Sequence, residues 1–127
     1  MSRVMQSTAG FTLLELMTVV TIVGILATLA VPNYQLSVKK AREGALKQAL
    51  FVLRDVIDQY RADKGQYPQA LTDLVAAGYL RSVPMDPITR SSQTWQEIPD
   101  SIEKGIFDVH SGSTLVSMSD GRPYNEW

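Results

Sequence analysis

FTLLELMTVVTIVGILATLAV, Phe11–Val31, is a run of twenty-one residues whose single charge is Glu15 and whose only other polar side chains are threonines. About 20 residues at 1.5 Å rise cover a hydrocarbon core of roughly 30 Å, so the run is long enough to cross a bilayer as a helix. The competing reading, a buried core helix, requires a polar face in so small a domain, and this run has none. A carboxylate inside such a segment costs about 2.5–3.5 kcal/mol on insertion scales and needs something to pair with it.

Ahead of the run stand ten residues, MSRVMQSTAG, with Arg3 and the free amine positive and no acidic group. A short positive stretch before an apolar run is a targeting arrangement. An ordinary secretory cleavage has its nearest small-x-small pattern at Thr28-Leu29-Ala30. It discards the whole apolar run and leaves Glu15 without a purpose. Behind the run, Lys39, Lys40 and Arg42 would by simple charge counting place the C-terminal side in the cytoplasm.

The 127 residues carry 12 Lys+Arg against 13 Asp+Glu, a net charge of −1, with one His and no Cys. That length is one domain's worth. A near-neutral balance lacks the clustered cations that neutralise phosphates, so no nucleic-acid partner is expected. Without cysteine there is no disulfide framework, thiolate metal site or thiol nucleophile. His110 has no partner base or metal-ligand spacing around it, and no nucleophile-elbow or glycine-rich phosphate loop occurs. The chain is therefore read as a non-enzyme with no cofactor. Asp55, Asp58, Asp63 and Asp73 near Tyr60 and Tyr67 read as a solvated helix face beside core aromatics, not as a glycan site.

Beyond Pro32, Leu46, Leu50, Leu53, Ile57 and Tyr60 recur at spacings of four and three, a stripe on one helix face. Arg54 and Asp58 form a candidate surface pair. Lys64 and Gly65 end the helix, the glycine by admitting a left-handed conformation. One helix over Phe11–Lys64 would be about 80 Å long. Its weak points are Gly24 and Pro32, where Pro32 removes a donor and crowds the preceding turn. Thr21 and Thr28 are placed to satisfy freed carbonyls. After a turn at Gly65-Gln66-Tyr67-Pro68, Ala70–Gly78 reads as a helix of about two turns. Strands are expected at Thr94–Ile98, Gly105–Gly112 and Thr114–Met118, with Tyr124 and Trp127 pinning the tail.

Gly10-Phe11-Thr12-Leu13-Leu14-Glu15-Leu16 resembles the type IV prepilin junction: a short charged leader ending in Gly, then Phe, then Glu as the fifth residue of the mature chain. Asp63–Pro87, DKGQYPQALTDLVAAGYLRSVPMDP, is similar to the segment after the long helix in G-type major pseudopilins of type II secretion. The resemblance implies an α+β, pilin-like fold: a long N-terminal helix, membrane-spanning in its first half and amphipathic in its second, on a small antiparallel sheet. The implied organisation is a leader at 1–10, a transmembrane and filament-core helix at 11–31, its amphipathic continuation at 32–64 and a small globular region at 65–127.

The resemblance further implies cleavage between Gly10 and Phe11 by a prepilin peptidase and N-methylation of the Phe11 amine. Phe11 and Glu15 would then set register in a helical homo-oligomeric filament, built with related minor subunits by an inner-membrane platform and ATPase. Gly24 and Pro32 would bound a hinge. The N-terminus would face the cytoplasm, against the charge count, and the globular region the periplasm or exterior. In the physics of that arrangement, the new amine lies within one turn of Glu15, and low-dielectric surroundings strengthen such a pair. G-type pseudopilins often hold calcium in an Asp-rich loop after a Ser-x-Gly turn; here only Asp120 and Glu126 follow Ser111-Gly112-Ser113, so calcium is not expected. The alternative is a signal-anchored periplasmic binding module that does not polymerise, for which Glu15 has no use.

Overall fold

The computed structural model describes residues 10–127; the leader expected at 1–10 lies outside the described residues except for Gly10. The elements in order are helix α1 (Leu13–Lys64), helix α2 (Leu71–Ala76), strands β1 (Gln96–Pro99) and β2 (Ile106–His110), and a 3₁₀ turn at Tyr124–Glu126. The chain divides into two compact units, one ending at Ser37 and one spanning Val38–Trp127.

In the first unit, α1 begins where Thr12 caps it. The Thr12 hydroxyl accepts the Glu15 backbone N–H at 3.1 Å, and the Thr12 carbonyl takes the Leu16 N–H. Every residue from Phe11 to Leu36 is exposed, with no cover from the described residues on any side. This is the one described helix apolar and long enough to cross a membrane. A helix apolar all round needs lipid or other helices around it. Thr18, Thr21 and Thr28 turn their hydroxyls back onto the carbonyls of Leu14, Met17 and Ile25, which hides their polarity within the helix. Gly24 and Pro32 both lie inside α1, which continues through them.

In the second unit the expected stripe forms the core. Leu46, Leu50, Leu53 and Ile57 are buried with Val56, while Tyr60 is half-buried and packs edge-on against Tyr79. Leu71, Leu74, Trp95, Ile106, Val109 and Tyr124 close over them. Arg54 does not pair with Asp58. Its guanidinium crosses to β2, donating to Asp108 Oδ1 at 2.7 Å and to the carbonyls of Val109 and Trp127. The longer reach wins because three acceptors on one fork outweigh a single solvated helix-face pair.

Both predicted helix ends hold, with Gly65 at φ +74° and Gly78 at φ +86°. At the second, Tyr79 N–H reaches the Leu74 carbonyl and Gly78 N–H reaches that of Val75, the Schellman arrangement. The other end of α2 has alanine at its N-cap, and the Glu97 carboxylate of β1 instead accepts the Leu71 N–H.

The sheet is an antiparallel pair, with Glu97 opposite Val109 and a register shift between Ile98 and Pro99, where proline has no N–H to offer the ladder. The third expected strand does not form among the described residues. Thr114–Met118 makes only an isolated bridge, Val116 with Pro123, because the segment folds back on itself. Ser117 N–H bonds the Arg122 carbonyl and Tyr124 N–H that of Leu115, so their ladder groups are consumed locally. Trp127 takes the Lys47 ammonium over its ring at 5.1 Å and packs on Tyr124, which pins the tail as expected.

Gly112 lies so close to the Thr94 backbone that a Cβ would overlap the Thr94 carbonyl. Backbone on both sides cannot give way as a side chain end can. Gly112→Ala is expected to lower stability by about 2–3 kcal/mol, read as a fall in the thermal midpoint of the full chain in detergent.

Candidate assembly and processing site

Gly10 and Phe11 precede the helix, are exposed, and leave the peptide bond between them open on the protein side. Phe11, just ahead of α1, and Leu14, Thr18 and Val19 on it flank Glu15. Thr12 fixes the first turn, so Glu15 stands where the helix N-terminus favours a negative charge. Among the described residues Glu15 has no ion-pair partner. A cation supplied from outside the described segment has an open carboxylate to meet.

Sequence reading missed Thr12, although Thr12-x-x-Glu15 before an apolar run is the capping-box spacing. It also missed Glu43. This residue extends the buried stripe by one step, three positions before Leu46, and is itself buried. Its Oε1 accepts the Tyr124 hydroxyl at 2.7 Å, the Met118 N–H at 2.6 Å and the Ser117 hydroxyl at 3.2 Å. Burial pushes the Glu43 carboxyl up, but hydrogen bonds from Tyr124, Met118, Ser117 and Ser119 outweigh it and hold the group below its ordinary value. Burial, then the bond to Glu43, raises the Tyr124 phenol to about 12. Asp86 is a second buried clamp that sequence reading did not single out. Its Oδ2 takes the Ser111 hydroxyl at 2.5 Å, and its Oδ1 takes the Ile88 N–H at 2.8 Å.

The calcium-loop positions are otherwise engaged. Asp120 accepts the Arg122 backbone N–H on one oxygen and the Arg122 side chain on the other, so both oxygens face a cationic residue. Glu126 is exposed in the 3₁₀ turn. No group of three or more His, Asp or Glu side chains placed to hold a metal occurs among the described residues. This donor set does not fit a calcium cage of six to eight oxygens. The loop is held to α1 by Glu43 instead. His110 binds the Asn125 carbonyl and Asp108, a structural position on β2.

The family model described as the prokaryotic N-terminal methylation motif matches residues 5–31. Among curated proteins, the type II secretion system core protein G of Klebsiella pneumoniae is 38% identical over 65% of this chain and 71% of its own length. That of Pseudomonas aeruginosa is 34% identical over 87% of this chain and 85% of its own. The chain belongs to the type II secretion system core protein G family. The core protein G of Escherichia coli K12 is also similar, 36% identical over 61% of this chain and 65% of its own. No solved structure matches this family member. Within the family, the described residues present an α+β, pilin-like fold: a long N-terminal helix over a two-stranded antiparallel sheet.

Proposed function

We propose that the chain is a structural subunit of a type II secretion pseudopilus, cut between Gly10 and Phe11 by a prepilin peptidase and methylated on the Phe11 amine. The observation that carries this is a Gly-Phe junction with Glu15 in the first turn of an uncovered apolar helix, in a member of the core protein G family. Before assembly, the 11–31 segment anchors the subunit in the inner membrane, N-terminus in the cytoplasm and the globular region outside. In the filament, neighbouring helices replace lipid around the same residues. One apolar surface serves both states, because neither lipid nor packed helices offers its side chains water.

The pieces of the chain take separate roles. Phe11 and Glu15 set register, the Phe11 amine of one subunit meeting the carboxylate of the next. Gly24 and Pro32 bound a stretch that loosens when the subunit leaves the bilayer, since glycine and proline weaken the helix there. Residues 32–64 carry the globular region, and further pseudopilus subunits and the secretion machinery are its partners. The chemistry is done to this chain by the peptidase and methylating enzyme; the chain itself acts mechanically.

Intact mass and N-terminal peptide mapping of the chain from its native membrane test this reading. The expected product begins at Phe11 with one added methyl group. An intact Met1 identifies a signal-anchored module that does not polymerise, and a start at Val31 a secreted soluble domain. Either result overturns the subunit reading.

A further inference from the structure

We propose that the loop over Leu115–Met118, together with Lys39 and Arg42, forms a lipid-contact surface that seats the globular unit on a bilayer bearing anionic headgroups. The inference rests on the membrane-anchored reading of residues 11–31. Lys39, Arg42, Leu115, Val116, Met118 and Tyr124 line a groove of about 210 Å³ in the second unit. Leu115 is 64% exposed, Val116 59% and Met118 48%. Large apolar side chains adjacent in sequence and open to solvent form a patch that marks a contact surface.

Their exposure is enforced by the fold. Glu43 draws the Ser117 hydroxyl and the Met118 N–H inward, and Ser113 and Ser117 are buried. With those groups held inside, the side chains of Leu115, Val116 and Met118 are left on the outside. The patch is thus presented on a loop fastened to α1.

Two features choose lipid as the occupant. The first is reach. Lys39 follows the last residue of the apolar run, Val31, by only eight positions in the sequence and is the second residue of the second unit. The exposed Tyr34 stands between them in the sequence, an aromatic of the kind that settles at the headgroup level. Lys39 and Arg42 line the groove, so it opens beside the residues by which the chain enters the second unit. The second is charge. Lys39, Lys40 and Arg42 make no ion pair among the described residues, and Lys39 and Arg42 border the apolar patch. Cations beside inserted apolar side chains are the pattern by which a protein surface binds an anionic interface. The acidic groups nearest in the loop do not oppose it, since Glu43 is turned inward and Asp120 is paired with Arg122. This surface also gives a use to cations that simple charge counting would set on the cytoplasmic side.

The chain contains no cysteine, so single labels are unambiguous. Full-length Leu115→Cys, Ile102→Cys and Ile22→Cys, each carrying an environment-sensitive dye, are reconstituted at low density into phosphatidylethanolamine–phosphatidylglycerol vesicles and into phosphatidylcholine vesicles. Lipids spin-labelled near the headgroup are expected to quench the dye at 115 by about twofold in the anionic vesicles and to leave the 102 dye, on a loop residue 93% exposed, unchanged. Lys39→Gln with Arg42→Gln, or the phosphatidylcholine vesicles, is expected to bring the 115 signal down to that of 102. The dye at 22 reports insertion against lipids labelled deep in the acyl chain. Quenching at 22 without any at 115 overturns the lipid surface and leaves the anchor standing, whereas no quenching at 22 overturns the anchor itself. A 115 signal that changes only as subunit density rises assigns the patch to a second copy and also overturns the proposal.

Discussion

Glu43→Ala is expected to lower the stability of the globular unit by about 3 kcal/mol, a fall of about 15 °C in the thermal midpoint of the full chain in detergent. The size follows from what the substitution leaves behind. Tyr124, Met118 and Ser117 all donate to Glu43 Oε1, and all three are left without that acceptor. A buried donor that loses its partner incurs the full desolvation penalty, and bonds to an ionised acceptor are the stronger kind. Glu43→Gln keeps an oxygen acceptor but loses the charge, and should fall about halfway. Because Glu43 fastens the loop and Asp120 and Glu126 do not make up a calcium cage, a calcium chelator is expected to leave the wild-type midpoint unchanged. A chelator-induced fall comparable to that of Glu43→Ala would reassign the fastening to a metal.

The same contact fixes the pH behaviour. The folded-state pKa of Glu43 lies below its ordinary value of 4.5, so its contribution is present above about 4.5 and is lost as pH falls through the lower folded value. The Tyr124 phenol is raised from 10.0 to about 12, so its contribution is complete below about 10 and disappears as pH rises toward about 12. The loop is held most firmly across the broad window between. In Glu43→Ala both flanks of the pH–stability profile should flatten.

The parts of this molecule legible in its sequence are those dictated by short-range rules. Leu46 to Ile57 reveals its burial by spacing alone, and Gly65 and Gly78 mark helix ends because few other residues accept a positive φ. The apolar run from Phe11 declares its environment by length. What escaped depends on partners distant in the chain. Arg54 had an obvious neighbour in Asp58, yet it bonds Asp108, fifty-four positions away. Thr114–Met118 alternates as a strand should, but a strand also needs a free edge, and that segment's ladder groups are spent on Arg122 and Tyr124. Glu43 was open to discovery: a charge in the next position of a buried stripe has to be either a mistake or an anchor, and its three donors make it an anchor. The site at Gly10, Phe11 and Glu15 is a different case. Its proposed meaning lies in chemistry performed by other proteins, so a motif carries the proposal and the isolated chain's geometry adds only the Thr12 cap and an open carboxylate.

Glu15→Ala is expected to leave membrane insertion and cleavage after Gly10 intact while reducing the yield of assembled filament by about a hundredfold. The monomer gains from the change, because a carboxylate in an apolar span costs about 2.5–3.5 kcal/mol and alanine costs nearly nothing. Processing is expected to persist because the bond cut lies outside the helix and the Thr12 carbonyl and hydroxyl still cap its first turn. Assembly is different. On the proposed function, the Phe11 amine of one subunit enters low-dielectric surroundings when neighbouring helices replace lipid, and without Glu15 it would have no counter-charge there. Removing one partner of a buried pair costs about 3–5 kcal/mol, and each 1.4 kcal/mol is tenfold in an equilibrium constant, so a loss of at least about two decades follows. Glu15→Asp keeps the charge on a shorter arm and should recover part of the yield; Glu15→Gln, which keeps the shape without the charge, should not. The measurement is the amount of subunit in the sheared filament fraction, normalised to the membrane pool, with intact mass confirming the processed N-terminus in every variant. Filaments from Glu15→Ala at the wild-type level would remove the register role from this carboxylate and leave its presence in the span without a physical cause.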